Sequence, residues 1–147
     1  DGYEKEKMVK RAQELDLLNN TLFIIDYLPK AQMPALLSAS TITTSFFIDL
    51  KEMEHNSANK FFDSLAAGKP IMINYGGWQA QLLKDHNAGF IIPNNDPVKA
   101  AKILNEVIVD NKKLQAMDPA ASTLATRFDV DTNYIKFKKV IDRAYLS

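Results

Sequence analysis

Short apolar runs alternate with amphipathic helical runs along the whole chain, and this alternation limits the possible folds more than any other feature. Runs rich in β-branched and aromatic residues predict strands at residues 21–26, 41–47, 71–73 and 89–92. Between them apolar residues recur at helical spacing, and no hairpin signal joins two neighbouring strands. Strands that alternate with helices predict an α/β fold with a parallel, doubly wound sheet.

Six or seven helices are predicted from the same periodicity. They cover residues 4–18, 29–40, 58–67, 78–85, 98–109, 111–127 with a break near Pro119, and 130–145. One start is marked by Asp96 as the cap, with Pro97 at the first position. Because no linker or internal repeat separates these elements, residues 1–147 are expected to form a single domain.

Residues 53–77 carry the most specific pattern in the chain. Ser57 is expected to cap a helix, because its hydroxyl can accept a bond from a free amide of the first turn. Gly68 is expected just past the helix end, where positive φ favours glycine, and Pro70 then precedes the strand. The polar face of the helix comprises Asn56, Asn59, Lys60 and Asp63, and the opposite, apolar face comprises Ala58, Phe61, Phe62 and Leu65.

Two interpretations of the polar face are open from the residues alone. Lys60 and Asp63 lie three residues apart and can form a solvated ion pair. Alternatively, the free amides of residues 56–60 and the Lys60 ammonium surround a helix N-terminus, which is a favourable place for phosphate. A carboxylate one turn further on, at Asp63, can accept hydrogen bonds from sugar hydroxyls. A nucleotide diphosphate fits this order of groups.

Composition excludes several classes of function. The formal net charge of the 147 residues is zero, so no basic field favours nucleic acid. Cysteine is absent, which removes disulfides, zinc–cysteine sites and cysteine nucleophiles, and fits a cytoplasmic setting. The apolar runs are too short to cross a bilayer, and the polar start DGYEKEK is unlike a signal peptide.

The segment NKFFDSLAAGKPIMINYGGW, residues 59–78, resembles the signature of the C-terminal nucleotide-sugar domain of GT-B glycosyltransferases. The resemblance is to the glycosyltransferase family 4 type of bacterial polysaccharide assembly. In that family a spaced pair of glutamates precedes a small-residue run, Gly-x-Pro, a strand and a Gly-Gly turn. Asp63 stands at the second glutamate position and His55 at the first, with Glu54 one residue before it.

The resemblance implies transfer of a sugar from a UDP-sugar to a glycan or lipid-linked acceptor, with retention of anomeric configuration and without a metal ion. Lys60 would stabilise the leaving diphosphate, Asp63 would hold ribose hydroxyls, and His55 would be a second catalytic candidate. The implied donor-binding set is Asn56, Ser57, Ala58, Asn59, Lys60, Asp63, Gly76 and Gly77. No cofactor beyond the donor is implied.

The acidic loop residues Asp49, Glu52 and Glu54 lack the spacing of a metal cage. Trp78 can either stack on a base or sugar or pack in the protein.

The family domain has a six-stranded sheet in the order 3-2-1-4-5-6, and the resemblance places the start of this chain after the second strand. The fold expected is therefore an incomplete half of a GT-B fold, without the N-terminal acceptor domain. Its last helix and its unpaired strand edges would then be exposed, so self-association is expected. The whole enzyme is expected to be cytoplasmic or peripheral at the inner membrane face.

Two other functions fit the same residues. A UDP-sugar 2-epimerase shares the GT-B architecture and would hold UDP in the same cleft. A non-catalytic nucleotide-binding or interaction module would explain why His55 and Asp63 depart from the two glutamates of the family.

Overall fold

The computed structural model describes residues 2–146, and in that range it contains seven α-helices and three β-strands. The helices are α1 (Lys5–Glu14), α2 (Met33–Ala39), α3 (Asn59–Ala66), α4 (Gly77–His86), α5 (Pro97–Val109), α6 (Asn111–Ala125) and α7 (Val130–Leu146). The strands are β1 (Thr43–Ser45), β2 (Ile71–Ile73) and β3 (Gly89–Ile91). Short 3-10 turns lie at Lys30–Gln32, Lys51–His55 and Thr126–Phe128.

The three strands form one parallel sheet in the order β1-β2-β3. Helices α3 and α4 make the crossovers between successive strands. The sheet confirms the predicted α/β, Rossmann-like parallel fold. β2 is its central strand, and all three of its residues are buried, as expected where both faces of a parallel sheet are covered.

The core divides at β2, because successive side chains of a strand point to opposite faces. Ile71 and Ile73 belong to a larger apolar cluster that includes Phe61 and Leu65 of α3, with further members from α4 and α6. Met72 belongs to a second cluster, whose other buried members are Phe90, Val107 and Met117. The alternation within a three-residue strand therefore joins the two halves of the core.

The strand predicted at residues 21–26 is wrong. The only pairing in that region is an isolated bridge between Leu18 and Leu22, so the described residues contain three strands and not four. A strand forms only where a neighbour takes up its amides and carbonyls, and no such neighbour exists in residues 2–146. Phe23, Ile25 and Tyr27 are exposed as a result.

The predicted helix break near Pro119 is also wrong, since α6 runs unbroken from Asn111 to Ala125. Proline in a helix interior loses one backbone hydrogen bond and costs about 3 kcal/mol. The side of α6 that faces the core offsets this cost, because Met117, Ala121 and Leu124 are all buried. Packing thus overrides the local signal of the proline.

The first helix is shorter than the predicted range of residues 4–18. It ends at Glu14, and Asp16 and Asn19, which follow it, have positive φ.

The chain divides into two compact units, residues 1–33 and 34–147. The first contains α1 and an ion pair of 2.9 Å between Lys5 Nζ and Asp26 Oδ1. That hydrogen bond and its charge raise the pKa of Lys5 and lower the pKa of Asp26. The second unit contains the sheet.

Across residues 2–146, no helix combines the length and hydropathy that spanning a bilayer requires.

Candidate functional site

Polar side chains join the three strands at their carboxyl ends, the edge at which open α/β sheets bind ligands. Asn74 follows β2, and its side-chain Oδ1 accepts a hydrogen bond of 2.9 Å from the Phe47 amide. Its Nδ2 donates to the Phe47 carbonyl oxygen at 2.9 Å and to Asn94 Oδ1 at 2.9 Å. Phe47 follows β1 and Asn94 follows β3. One amide side chain thus connects the ends of all three strands.

The β1–α3 loop, residues 46–58, leads from this edge to the start of α3. It contains the 3-10 turn Lys51–His55 and lies against the first turn of α4. A Cβ atom built on Gly77 would overlap the Glu54 carbonyl oxygen. Further along the loop, Trp78 Nε1 donates a hydrogen bond of 3.1 Å to the carbonyl oxygen of Asn56. The loop is therefore held against α4 at two successive points.

Helix α3 begins without a side-chain cap. Its N-cap residue is Ala58, in extended conformation at φ −70° and ψ 121°, and no side chain accepts a bond from the first turn. The prediction that Ser57 caps this helix is wrong, because Ser57 lies one residue before the cap position and is exposed. The first amides of α3 are consequently left without a side-chain acceptor, which leaves the positive end of the helix open to an anion.

The predicted faces are confirmed for the residues within α3, whereas Asn56, predicted on the polar face, lies before the helix and is half-buried. Phe61 and Leu65 are fully buried, whereas Asn59, Lys60 and Asp63 are exposed. In the described part of the chain, no ion pair joins Lys60 to Asp63. The solvated ion pair that the spacing allowed is thus not formed, and the Lys60 ammonium and the Asp63 carboxylate are both available for other partners.

Asp63 lines an open depression of about 620 Å³ between α3, the end of α6 and the start of α7. The depression also contains the carboxylate of Asp129, which accepts a hydrogen bond of 2.8 Å from the Thr132 amide. That bond lowers the pKa of Asp129. The other lining residues are Phe62, Ala66, Ser122, Ala125, Thr126, Phe128, Val130 and Thr132. Carboxylates and hydroxyls beside aromatic rings are suited to holding a polyhydroxylated ligand such as a sugar.

Comparison with known proteins identifies the family. Residues 1–123 match the profile of the family described as Glycosyl transferases group 1. The chain belongs to this family. Among curated proteins, none matches this glycosyl transferase chain.

Solved structures agree with the fold of this glycosyl transferase chain. Sucrose-phosphate synthase from Thermosynechococcus elongatus is 12% identical, with a TM-score of 0.81, over 99% of this chain and 35% of that one. HepE from Anabaena in complex with UDP is 20% identical, with a TM-score of 0.78, over 94% and 36%. The same protein with UDP-glucose gives 18% identity, a TM-score of 0.77 and the same coverage. The chain thus spans about a third of the length of each neighbour, and these likenesses place it in the GT-B, Rossmann-like fold.

The remaining predicted residues of the glycosyl transferase chain lie around the start of α3. His55 is exposed at the end of the 3-10 turn, Asn56 is half-buried and Ala58 is buried. Gly76 is the N-cap of α4, and Gly77 is its first residue, with φ of +79°. No group of three or more His, Asp or Glu side chains in residues 2–146 is arranged to hold a metal ion.

Trp78 packs against protein in this structure. Its ring centroid lies 6.0 Å from that of Phe61, 6.1 Å from Phe62 and 6.5 Å from Phe128. The indole is 37% exposed, and its one hydrogen-bond donor is used by the Asn56 carbonyl. Of the two roles considered from the sequence, packing is the one the contacts show.

Sequence reasoning missed the Asn74–Asn94 pair and the buried Gln79. The amide of Gln79 is 1% exposed, and neither its Nε2 nor its Oε1 has a hydrogen-bond partner among the described residues. Asn74 carried a sequence signal, because a polar residue directly after a buried strand falls at the ligand-binding edge of a parallel sheet. Gln79 carried no such signal, because the burial of this residue near the start of α4 depends on contacts with residues that are distant in the sequence.

Proposed function

We propose that this chain supplies the donor half of an enzyme that transfers a sugar from a UDP-sugar to a glycan or lipid-linked acceptor in polysaccharide biosynthesis. The observation that carries the proposal is the uncapped start of α3, with an unpaired Lys60 beside it and Asp63 in an open depression one turn further on. Family membership makes transfer the favoured reaction. The two HepE structures, which hold UDP and UDP-glucose, support the choice of UDP.

In this proposal the diphosphate lies at the amides of residues 57–60 and at the Lys60 ammonium. The Asn56 amide, which the sequence placed in the same set, already donates a hydrogen bond of 3.2 Å to the Met53 carbonyl oxygen. As the glycosidic bond breaks, negative charge grows on the leaving diphosphate, and donors that are already oriented stabilise it without reorganising. Asp63 accepts hydrogen bonds from the ribose hydroxyls. The proposal has four further parts: the chain is of the family 4 type, the anomeric configuration is retained, no metal ion takes part, and His55 has a catalytic role. The acceptor is bound by residues outside this chain.

Titration of the protein with UDP by calorimetry tests the site. Lys60→Ala and Asp63→Ala are each expected to weaken binding about tenfold or more, because each removes a charge-assisted hydrogen bond to the ligand. Lys84→Ala and Asp85→Ala, on the exposed side of the last turns of α4, are matched controls and should leave affinity unchanged. Unchanged affinity in both site variants would reject the site.

Product analysis distinguishes the proposed reaction from epimerisation. The protein that carries this chain is incubated with a panel of UDP-sugars, with and without glycan acceptors. Transfer releases UDP and forms a new glycosidic bond, whereas a UDP-sugar 2-epimerase returns an isomer of the UDP-sugar. A protein that binds UDP but forms neither product would be the non-catalytic module.

Self-association is the second part of the proposal. Among the residues that the structure describes, β1 has a neighbour on one side only, and the amide of Thr43 is bonded towards the β2 side, at the Pro70 carbonyl. Because ladder bonds alternate along a strand, the backbone groups of the exposed Thr44 face the open side. An open edge of this kind is a template for a strand from a second copy.

Sedimentation velocity over a range of protein concentrations checks this second part. The wild-type chain is expected to form a dimer or larger species, and Thr44→Pro is expected to shift it towards monomer. Proline removes the outward amide and leaves the bonds to β2 in place. A single monomeric species of the wild type at the highest concentration would count against the proposal.

A further inference from the structure

We propose that residues 74–78, between β2 and the first turn of α4, position the diphosphate end of α3 and do not themselves contact the donor. This inference rests on the proposed function, and it assigns the Gly-Gly turn a different role from the one its family resemblance implies. The segment holds the β1–α3 loop at three places, each through a different residue.

The first place is the beginning of the loop. Asn74 is half-buried, and both ends of its side-chain amide bind the backbone of Phe47, each at 2.9 Å. A side-chain amide that engages both groups of one residue has a single orientation, which the 2.9 Å bond to Asn94 Oδ1 also requires. Asn74 therefore sets the direction in which the loop leaves the sheet.

The second place is the middle of the loop. Gly77 has φ of +79°, and the position of its missing Cβ overlaps the Glu54 carbonyl oxygen, with the Glu54 carbonyl carbon at 2.7 Å. Backbone cannot move aside as a flexible side chain can, so the loop lies here only because residue 77 is glycine. The space in which a ligand would approach at that position is filled by the protein itself.

The third place is the end of the loop, next to α3. Trp78 Nε1 donates to the carbonyl oxygen of Asn56, two residues before the cap Ala58. The rings of Phe61, Phe62 and Phe128 fix the indole in turn. Phosphate binding depends on the orientation of the first α3 amides. The Trp78 indole sets this orientation through its bond to Asn56, since no side chain caps the helix.

Gly76 provides a matched control. Its φ is −86°, and the nearest atoms that a Cβ at this residue would meet belong to the Glu54 side chain, with Oε1 at 3.1 Å and Cδ at 3.3 Å. The side chain can shift by a few tenths of an ångström, so alanine is tolerated there. If the turn touched the donor, alanine at either glycine would weaken binding, whereas a positioning role predicts an effect at Gly77 alone.

The experiment compares Gly76→Ala, Gly77→Ala and Trp78→Phe in UDP titrations and in amide hydrogen exchange without ligand. We expect the UDP dissociation constant to rise about tenfold or more in Gly77→Ala and severalfold in Trp78→Phe, and to stay within about twofold in Gly76→Ala. Exchange in residues 46–60 should accelerate in Gly77→Ala and Trp78→Phe, with no change in α5. Trp78→Phe keeps an aromatic ring in the cluster and removes the indole donor, so it decides the matter even if Gly77→Ala does not fold.

Equal weakening by Gly76→Ala and Gly77→Ala would overturn the inference, because it would indicate direct contact with the donor. Unchanged exchange of residues 46–60 in Trp78→Phe would overturn it as well. Absence of UDP binding by the wild type would instead reject the proposed function, and local acceleration of exchange would in that case still support the positioning of the loop.

Discussion

Replacement of Phe61 by alanine is expected to lower the free energy of unfolding by about 3–5 kcal/mol, the usual cost of deleting a buried aromatic side chain. Phe61 is 0% exposed and belongs to the apolar cluster on the α3 side of the sheet. Its ring also contacts Phe62, Trp78 and Phe128, with centroids 5.5, 6.0 and 6.4 Å away. The truncation leaves a cavity among rings whose backbones lie on three different elements, so the site can collapse only in part.

Urea unfolding monitored by circular dichroism measures this loss. Phe137→Ala is the matched control, because Phe137 is 62% exposed on α7 and its truncation should change stability by about 0.5 kcal/mol or less. Equal midpoints for Phe61→Ala and the wild type would show that the ring does not pack as described.

Gly89→Ala is expected to destabilise the chain by about 3 kcal/mol, the upper end of the range for an overpacked interior. Gly89 is the first residue of β3 and pairs with Ile71 of β2. A Cβ on Gly89 would overlap the carbonyl oxygen of Ile71 and lie 3.0 Å from its amide nitrogen. Since both atoms belong to the backbone of the central strand, the clash can be relieved only by separating two paired strands.

Thermal unfolding checks the effect of Gly89→Ala. Gly76→Ala again serves as the control, because the added methyl group there meets only a flexible carboxylate. A melting temperature for Gly89→Ala equal to that of the control would contradict the close approach of β2 and β3.

Elements with strong local signals were predictable from the sequence. The strand at residues 71–73 is confirmed to the residue, because Gly68 and Pro70 punctuate the chain directly before it. Gly68 has the predicted positive φ, +67°. Asp96 caps α5 as predicted, accepting a hydrogen bond of 2.9 Å from the Lys99 amide. In each case the information lies within a few residues of the feature that it determines.

Features that depend on distant partners were not predictable. Residues 21–26 have the composition of a strand, but a strand also requires a neighbour, which composition does not reveal. A glycine pair is equally consistent with a close ligand and with close protein, and only the structure shows that the Glu54 carbonyl lies beside Gly77 and requires glycine there. The candidate site shows the same division: periodicity correctly placed Lys60 and Asp63 on the exposed face of α3, while their roles towards a donor remain predictions.

The position of Trp78 also gives the chain a built-in optical probe. It is the only tryptophan among the 147 residues, so emission excited at the red edge of protein absorption comes from one indole. That indole lies at the junction of α3 and α4, with its N–H on the loop that precedes the candidate phosphate site. Its wavelength and intensity therefore report on this junction selectively, and they can follow the arrival of a nucleotide without an attached dye.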